Sequence, residues 1–320
     1  MPTRVLFIAN PAKLASYYMR AETIANRLRE DGFEVDIFLW HGWRDSLALF
    51  RAARRADCVI SVKLIRRSMI PSLLLAGRKL VYDCVDNFNF REGFAYGAGR
   101  RWISEFIVNN GLHRDFIARE FALPGQPVSV IEHHHSNFAR ASREGSLPTV
   151  VGYIGNPRDY AVSEAFEPWC NERGLRLYVN HNIALSNEEA IRENLKLDVY
   201  FMLLPVESAD AAETERLRHV KNFKPAQKIL LPFSLGMPTI CAPYHAYVEA
   251  VRAAGFEKQD FIFVETEAEL RAAIDKIRDP ANAGWLQELI ARQKKVAENY
   301  HLDKIIGKYR DLVARHAAGA

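Results

Sequence analysis

The sequence predicts an α/β protein built from two Rossmann-like domains, each a parallel sheet covered by helices, with the sheets facing a central cleft. Three observations carry this. Short β-rich runs alternate with segments of helical periodicity along the whole chain. A polar stretch of small residues, "ARASREGSLPT" (139–149), interrupts the pattern near its middle, after which the pattern restarts. A length of 320 residues at 49% apolar composition is enough for two cores and long for one small domain.

The elements follow in order. "RVLFIAN" (4–10) reads as a buried strand, and a helix over 16–31 places Ala21, Ile24, Ala25 and Leu28 on one face before "DGF" closes it. "EVDIFLW" is the next strand, 45–56 a helix, and "DCVISVK" (57–63) and "KLVYDCVD" (79–86) are further strands. "PVSVIEHHH" (127–135) ends the first series. Past the linker come a "TVVGYIGN" strand, a helix over 161–173, an "LRLYVN" strand, an "NEEAIRENL" helix and an "LDVYFMLLP" strand. A helix over 225–235, an "MPTICAP" strand, a helix over 244–254, a "DFIFVE" strand and terminal helices complete the second. The expected domains are 1–142 and 149–320, with the last helix free to pack back on the first. Neither half shows GxGxxG at a strand–helix junction, which disfavours an NAD-type dinucleotide fold. No internal repeat of 20–50 residues is visible.

Composition excludes several classes. No apolar stretch reaches about 18 residues, so no transmembrane helix is expected, and the start "MPTRVLFIAN" lacks the layout of a signal peptide. Cys58, Cys84, Cys170 and Cys241 are widely spaced in apolar surroundings, which reads as reduced core thiols of a cytoplasmic protein. The net charge of +4 is uneven: residues 1–146 hold 21 Lys and Arg against 15 Asp and Glu, and residues 44–101 hold 12 against 5. That excess suggests an anionic partner, a phosphorylated substrate or a membrane surface. It is too small, and too bare of motifs, to suggest nucleic acid.

Four stretches resemble the GT-B glycosyltransferases of bacterial surface-glycan synthesis: "LVYDCVDNF" (80–88), "VSVIEHHHSNF" (128–138), "VVGYIGN" (150–156) and above all "KNFKPAQKILLPFSLGMPTICAPYHAYVEAV" (221–251). The last resembles that group's Lys-Pro-x-x-Lys, helix, Gly-x-Pro-strand element. The resemblance implies a nucleotide-sugar donor bound mainly by the second domain, an acceptor bound mainly by the first, and transfer without a metal or other cofactor. Better-known retaining members carry two glutamates in the 221–251 stretch, where this chain has Phe223 and Leu231. The carboxylate expected to grip the nucleotide ribose is therefore missing.

The residues themselves suit such a site. Pro225 fits the first turn of a helix and Gly236 its end. Lys224 and Lys228, four apart, are expected on one face at that helix N-terminus, where two cations and the dipole favour a diphosphate. Gly155 allows close backbone approach to a ligand, and Asn156 and Arg158 are candidate phosphate contacts. His181, after the "LRLYVN" strand, is a further donor-side candidate, and "LLPVES" (203–208) is where the resemblance implies nucleobase contacts. In the first half Asp86 ends a strand and suits the base that takes a proton from an acceptor hydroxyl. Asn87 and Arg91, in the glycine- and aromatic-rich loop that follows, are acceptor candidates, and that loop is also a candidate membrane-surface loop. The run His133, His134, His135 is expected to face the cleft, His133 and His135 on one side and His134 on the other, with Asn137 beside them. Adjacent histidines on a strand diverge, so a metal site is not expected there; His134 is the candidate for a proton-transfer role.

The expected function is a hexosyl-type glycosyltransferase at the inner face of a membrane, moving a sugar from a nucleotide-sugar to a saccharide or lipid-linked saccharide. Polysaccharide or lipopolysaccharide synthesis is the setting. A sugar-nucleotide 2-epimerase of the same fold and a non-catalytic nucleotide-sugar-binding partner are the alternatives.

Overall fold

The computed structural model describes residues 2–86, 90, 93–142, 148–203 and 210–318, the side chains of Arg158 and Ala211 excepted. Asn87 and Arg91, and all but the first residue of "LLPVES", lie outside the described residues. The chain divides into two compact units, Met1–His133 with Asp303–Ala320, and His134–Leu302. The first division falls ahead of the linker expected at 139–149.

The first unit holds six parallel strands: β1 (Arg4–Ala9), β2 (Glu34–Leu39), β3 (Cys58–Val62), β4 (Leu80–Asp83), β5 (Ile103–Val108) and β6 (Val128–Val130), ordered β2-β1-β3-β4-β5-β6. Every residue of β3 and β4 is buried, as is all of β1 after Arg4, which is why they read as unbroken apolar runs: helices cover both faces. Sequence reasoning missed β5, whose apolar run is broken by Glu105. It also overextended β6: the strand stops at Val130, and the three histidines lie beyond it in irregular backbone.

The helix expected over 16–31 contains a π-helical turn at Tyr18–Glu22 between Ala15–Tyr17 and Thr23–Glu30. That turn carries Arg20, fully buried, whose Nε donates to Asp83 Oδ2 at 2.7 Å. Its Nη1 donates to the carbonyls of Ile131 and Glu132 at 3.1 and 3.0 Å. The Tyr309 hydroxyl donates to the same Asp83 oxygen at 3.4 Å, and the Arg20 guanidinium stands 5.4 Å from the Tyr309 ring centre. Tyr309 belongs to the helix Leu302–Ala317, which also sends Arg315 and His316 to Glu105 of β5 at 3.0 and 2.9 Å. Burial by itself lowers the basicity of Arg20, but Asp83 and its neighbours outweigh it and leave the guanidinium more firmly charged.

The second unit holds five parallel strands: β7 (Val150–Ile154), β8 (Arg176–Asn180), β9 (Val199–Met202), β10 (Thr239–Cys241) and β11 (Ile262–Phe263), ordered β11-β10-β9-β7-β8. All five were expected. The order reverses at β7, which pairs with β8 on one side and β9 on the other. In an open α/β sheet the crevice beyond the carboxyl end of such a strand is where ligands bind. Among the described residues no helix is long and apolar enough to cross a membrane, and the four cysteines are buried and free.

Candidate functional site

β7 ends at this switch point, and the chain leaves it through Gly155 and a 3-10 turn at Pro157–Asp159. Gly155 has φ of 147°, a backbone that side-chain-bearing residues rarely adopt. An added Cβ there would stand 2.5 Å from Lys228 Nζ and 2.7 Å from the Tyr153 hydroxyl. Glycine lets strand, lysine and tyrosine converge.

The turn delivers Asp159, almost wholly buried, to both lysines. Lys224 Nζ and Lys228 Nζ donate to one oxygen, Asp159 Oδ2, the second at 2.8 Å. Lys228 Nζ also donates to the Tyr153 hydroxyl at 2.7 Å, which in turn donates to the Asn156 carbonyl at 2.9 Å. Burial alone raises the Asp159 carboxyl, but Lys228 and then Lys224 prevail and hold it below the usual carboxylate range. Burial pushes the Tyr153 phenol up, so it stays a neutral hydrogen-bonding group. His181 Nδ1 lies 3.2 Å from the Gly155 carbonyl, its ring edge-on to Tyr160 at 5.7 Å between centroids.

The lysines do converge, though not on one helix. The helix Ala211–Phe223 ends at Lys224, whose ψ of 139° is extended, and the next helix runs Gln227–Ser234 with Ala226 as its N-cap. Pro225 thus precedes the second helix instead of opening its first turn. The residue before a proline is kept out of the α region, which forces the break and redirects the chain between the lysines. Phe223 and Leu231, where the glutamates were sought, are buried apolar residues. The shared partner, Asp159, escaped sequence reasoning, as did Tyr153. Arg158 lies in the turn itself.

The first unit has a second polar cluster at the carboxyl ends of β3 and β4. Asp86 pairs with Lys63, which sequence reasoning had passed over. Lys63 and Val85 both adopt φ of 54°, left-handed values costly for side-chain-bearing residues and most of all for a β-branched valine. The Lys63 amide donates to the Asp83 carbonyl at 2.9 Å and the Val85 amide to Asp83 Oδ1 at 3.1 Å, which holds the strained turn in place. Such strain is stored where a group must be held in one position.

The histidine run lies in irregular backbone beyond β6 and not on the strand where it was expected. His133, His134 and His135 are all buried. The His135 amide donates to the Tyr300 carbonyl at 3.2 Å, and its Nδ1 accepts from the Asn137 amide at 3.2 Å. Burial first, then His301 and His134, bring the His135 ring down to about 3, so it is neutral at physiological pH. His134 Nδ1 donates to the His135 carbonyl at 3.0 Å. Asn137 exchanges two 2.8 Å hydrogen bonds with Ala141 and donates to the Ser234 carbonyl at 3.1 Å. His134, His135 and Asn137 hold the irregular segment after β6 through these contacts. Among the described residues no group of three or more His, Cys, Asp or Glu is placed to hold a metal ion.

Two parallel-sheet units in series, each with its polar cluster at the carboxyl ends of strands, have the GT-B glycosyltransferase fold. The solved structures that the chain matches include an alpha-glucosyltransferase in complex with UDP and a 13-mer DNA containing a HMU base. That match has a TM-score of 0.63 at 8% identity, covering 98% of this chain and 99% of that one. They also include the N-terminal domain of Candida albicans trehalose-6-phosphate phosphatase, at 0.54 and 8% over 99% and 97% of the two chains. A third is a GtfA/B complex, at 0.53 and 10%, covering 85% of this chain and 60% of that one. No family model matches the chain, and no curated protein matches it in sequence.

Proposed function

We propose that the chain is a glycosyltransferase that moves a sugar from a nucleoside-diphosphate sugar to a saccharide or lipid-linked saccharide acceptor, without need of a metal. The observation that carries this is the Lys224–Asp159–Lys228 cluster at the switch point of the second sheet. Two ammonium groups sharing one carboxylate oxygen make an anion seat with net charge of +1, suited to a group carrying more negative charge than a carboxylate. In this reading Lys224 and Lys228 stabilise the departing diphosphate, Gly155 lets it approach the backbone, and Asn156, Arg158 and His181 border it. Asp86, positioned by Lys63 and the strained Val85 turn, takes the proton of the acceptor hydroxyl in the first unit. The alpha-glucosyltransferase structure holding UDP supports the donor class. Synthesis of a cell-surface glycan at the inner face of an anionic membrane is the setting that fits the basic first half.

The test is a thermal-shift screen with UDP, GDP, ADP, dTDP and CMP. A ligand at about 100 times its dissociation constant adds about 2.7 kcal/mol and raises Tm by a few degrees. One diphosphate is expected to stand out, with its shift abolished in Lys228→Ala. No shift with any of them, or an equal shift in the variant, sinks the donor seat. Turnover is then scored with oligosaccharide and duplex DNA acceptors against donor hydrolysis and epimerisation. The buried Phe223 and Leu231 favour one second reading, a nucleotide-sugar-binding partner without activity; nucleotide binding with no turnover on any acceptor would identify it.

A further inference from the structure

The first unit carries a surface that the donor seat does not explain. Among the described residues nine large hydrophobic side chains are exposed, and four of them lie within residues 43–75: Trp43 at 71%, Leu47 at 58%, Leu74 at 48% and Leu75 at 78%. The others are spread from Leu14 to Leu195, as isolated apolar residues on any surface are. The four belong to adjoining elements. The helices Ser46–Arg55 and Ile70–Leu75 pack side by side, with the Ser72 hydroxyl donating to the Ser46 carbonyl at 2.8 Å. Their inward residues, Leu49, Ala53, Ile70 and Leu73, are buried. Leu47, Arg51, Arg54 and Arg55 repeat at helical spacing along the outward side of the longer helix, and all are exposed.

The charge around them is one-sided. Residues 43–79 hold nine Lys and Arg against two acids, and of the nine Lys63 is already paired with Asp86 outside the stretch. Both acids are turned to backbone: Asp45 accepts from the His41 amide at 2.7 Å and Asp57 from the Arg4 amide at 2.8 Å. A face that joins bare leucines to unneutralised arginines selects its partner. A nucleic acid duplex matches the arginines and offers nothing to the leucines. A second copy of the chain matches the leucines, but a two-fold contact sets the same positive face against itself. An anionic bilayer matches both: leucines enter the acyl boundary, Trp43 sits at headgroup level, and arginine stems cover apolar surface while their heads meet phosphates.

We propose that this helix pair docks the protein on an anionic lipid bilayer. The lipid surface, not a soluble phosphate, is the ligand, because only the surface receives the leucines. This rests on the membrane setting proposed above and names the surface that would meet it, while its failure is distinguishable from failure of the donor seat.

The experiment is co-sedimentation of the full chain with vesicles of phosphatidylcholine alone or with phosphatidylglycerol added. Binding is expected only to the anionic vesicles, falling with salt. Neutralising Arg51, Arg54 and Arg55 to Gln should weaken it about fivefold per arginine. Leu74→Ser with Leu75→Ser should weaken it at least about tenfold while its salt dependence stays as in the parent. Equal partition to neutral and anionic vesicles, or no partition to either, overturns the proposal. So does binding to a DNA duplex that the arginine variants lose and the leucine variants keep, or self-association that the leucine variants abolish. Circular dichroism and the nucleotide-induced thermal shift, unchanged in every variant, separate loss of the face from loss of the fold or the donor seat.

Discussion

Lys228 Nζ stands 2.8 Å from Asp159 Oδ2, and Lys224 meets the same oxygen, so one buried carboxylate holds both cations that the proposed donor diphosphate needs. If the proposed seat takes a diphosphate, the Asp159 carboxylate competes with it for the same two ammonium groups. Asp159→Asn keeps the shape, removes the competing charge and raises the seat from net +1 to +2. The expected outcome is tighter binding of a nucleoside diphosphate by about tenfold, or about 1.4 kcal/mol, by titration calorimetry. Weaker binding would mean that Asp159 serves the diphosphate by holding the lysines apart and in place.

Gly155→Ala puts a methyl 2.5 Å from Lys228 Nζ on a backbone at φ of 147°. The strain alone is worth about 1–3 kcal/mol, and Lys228 must swing away from Tyr153. Urea unfolding should show a loss in that range, and nucleotide affinity should fall beyond what stability explains. A variant of full stability and parental affinity would count against the convergence drawn at this turn.

Arg20→Met leaves Asp83 buried among partners that cannot neutralise it. Breaking a buried pair from one side costs about 3–5 kcal/mol, read as a lowered urea midpoint. Adding Asp83→Asn to Arg20→Met removes the stranded charge and should recover part of the loss. If the double variant is no better than the single, the guanidinium contacts with the Ile131 and Glu132 carbonyls matter more than the ion pair.

His135 titrates at about 3 in the folded chain against an ordinary 6.5. Between those values the unfolded chain binds the extra proton, so stability is complete above about pH 6.5 and falls as pH drops through the window. The slope contributed by this one ring is at most about 1.4 kcal/mol per pH unit. Asp159, lowered when folded, adds its own loss only below the ordinary carboxylate range. Melting followed from pH 7.5 to pH 5 should therefore show a decline that His135→Gln flattens. An unchanged decline in that variant would place the sensitive group elsewhere.

The alternation of buried strands with helices was legible because parallel strands covered on both faces are written as apolar runs. β5 was not, because Glu105 interrupts its run and is neutralised by Arg315, 210 residues later in the chain. Lys224 and Lys228 were singled out by resemblance to a Lys-Pro-x-x-Lys element and by spacing on one expected helix, and that shared helix is not there. Pro225 breaks the helix they were assigned to, and a turn 65 and 69 residues earlier draws them together. Nothing local to "NPRDY" marks Asp159 as their partner. The histidines misled for the opposite reason: a period of two was read onto backbone that had already left the strand.

The helix Leu302–Ala317, from Asp303 on, completes the unit that Met1 begins. On a ribosome this inverts the order of assembly. Residues 134–302 emerge whole and can fold while Arg20 and Asp83, made long before, still wait for Tyr309. The segment of the first unit that precedes residue 134 gains its full set of partners only once residues 303–320 have been made. A fusion joined after the final helix therefore burdens the N-terminal sheet, whereas one inserted after Gly174, in the turn before β8, burdens only its own unit.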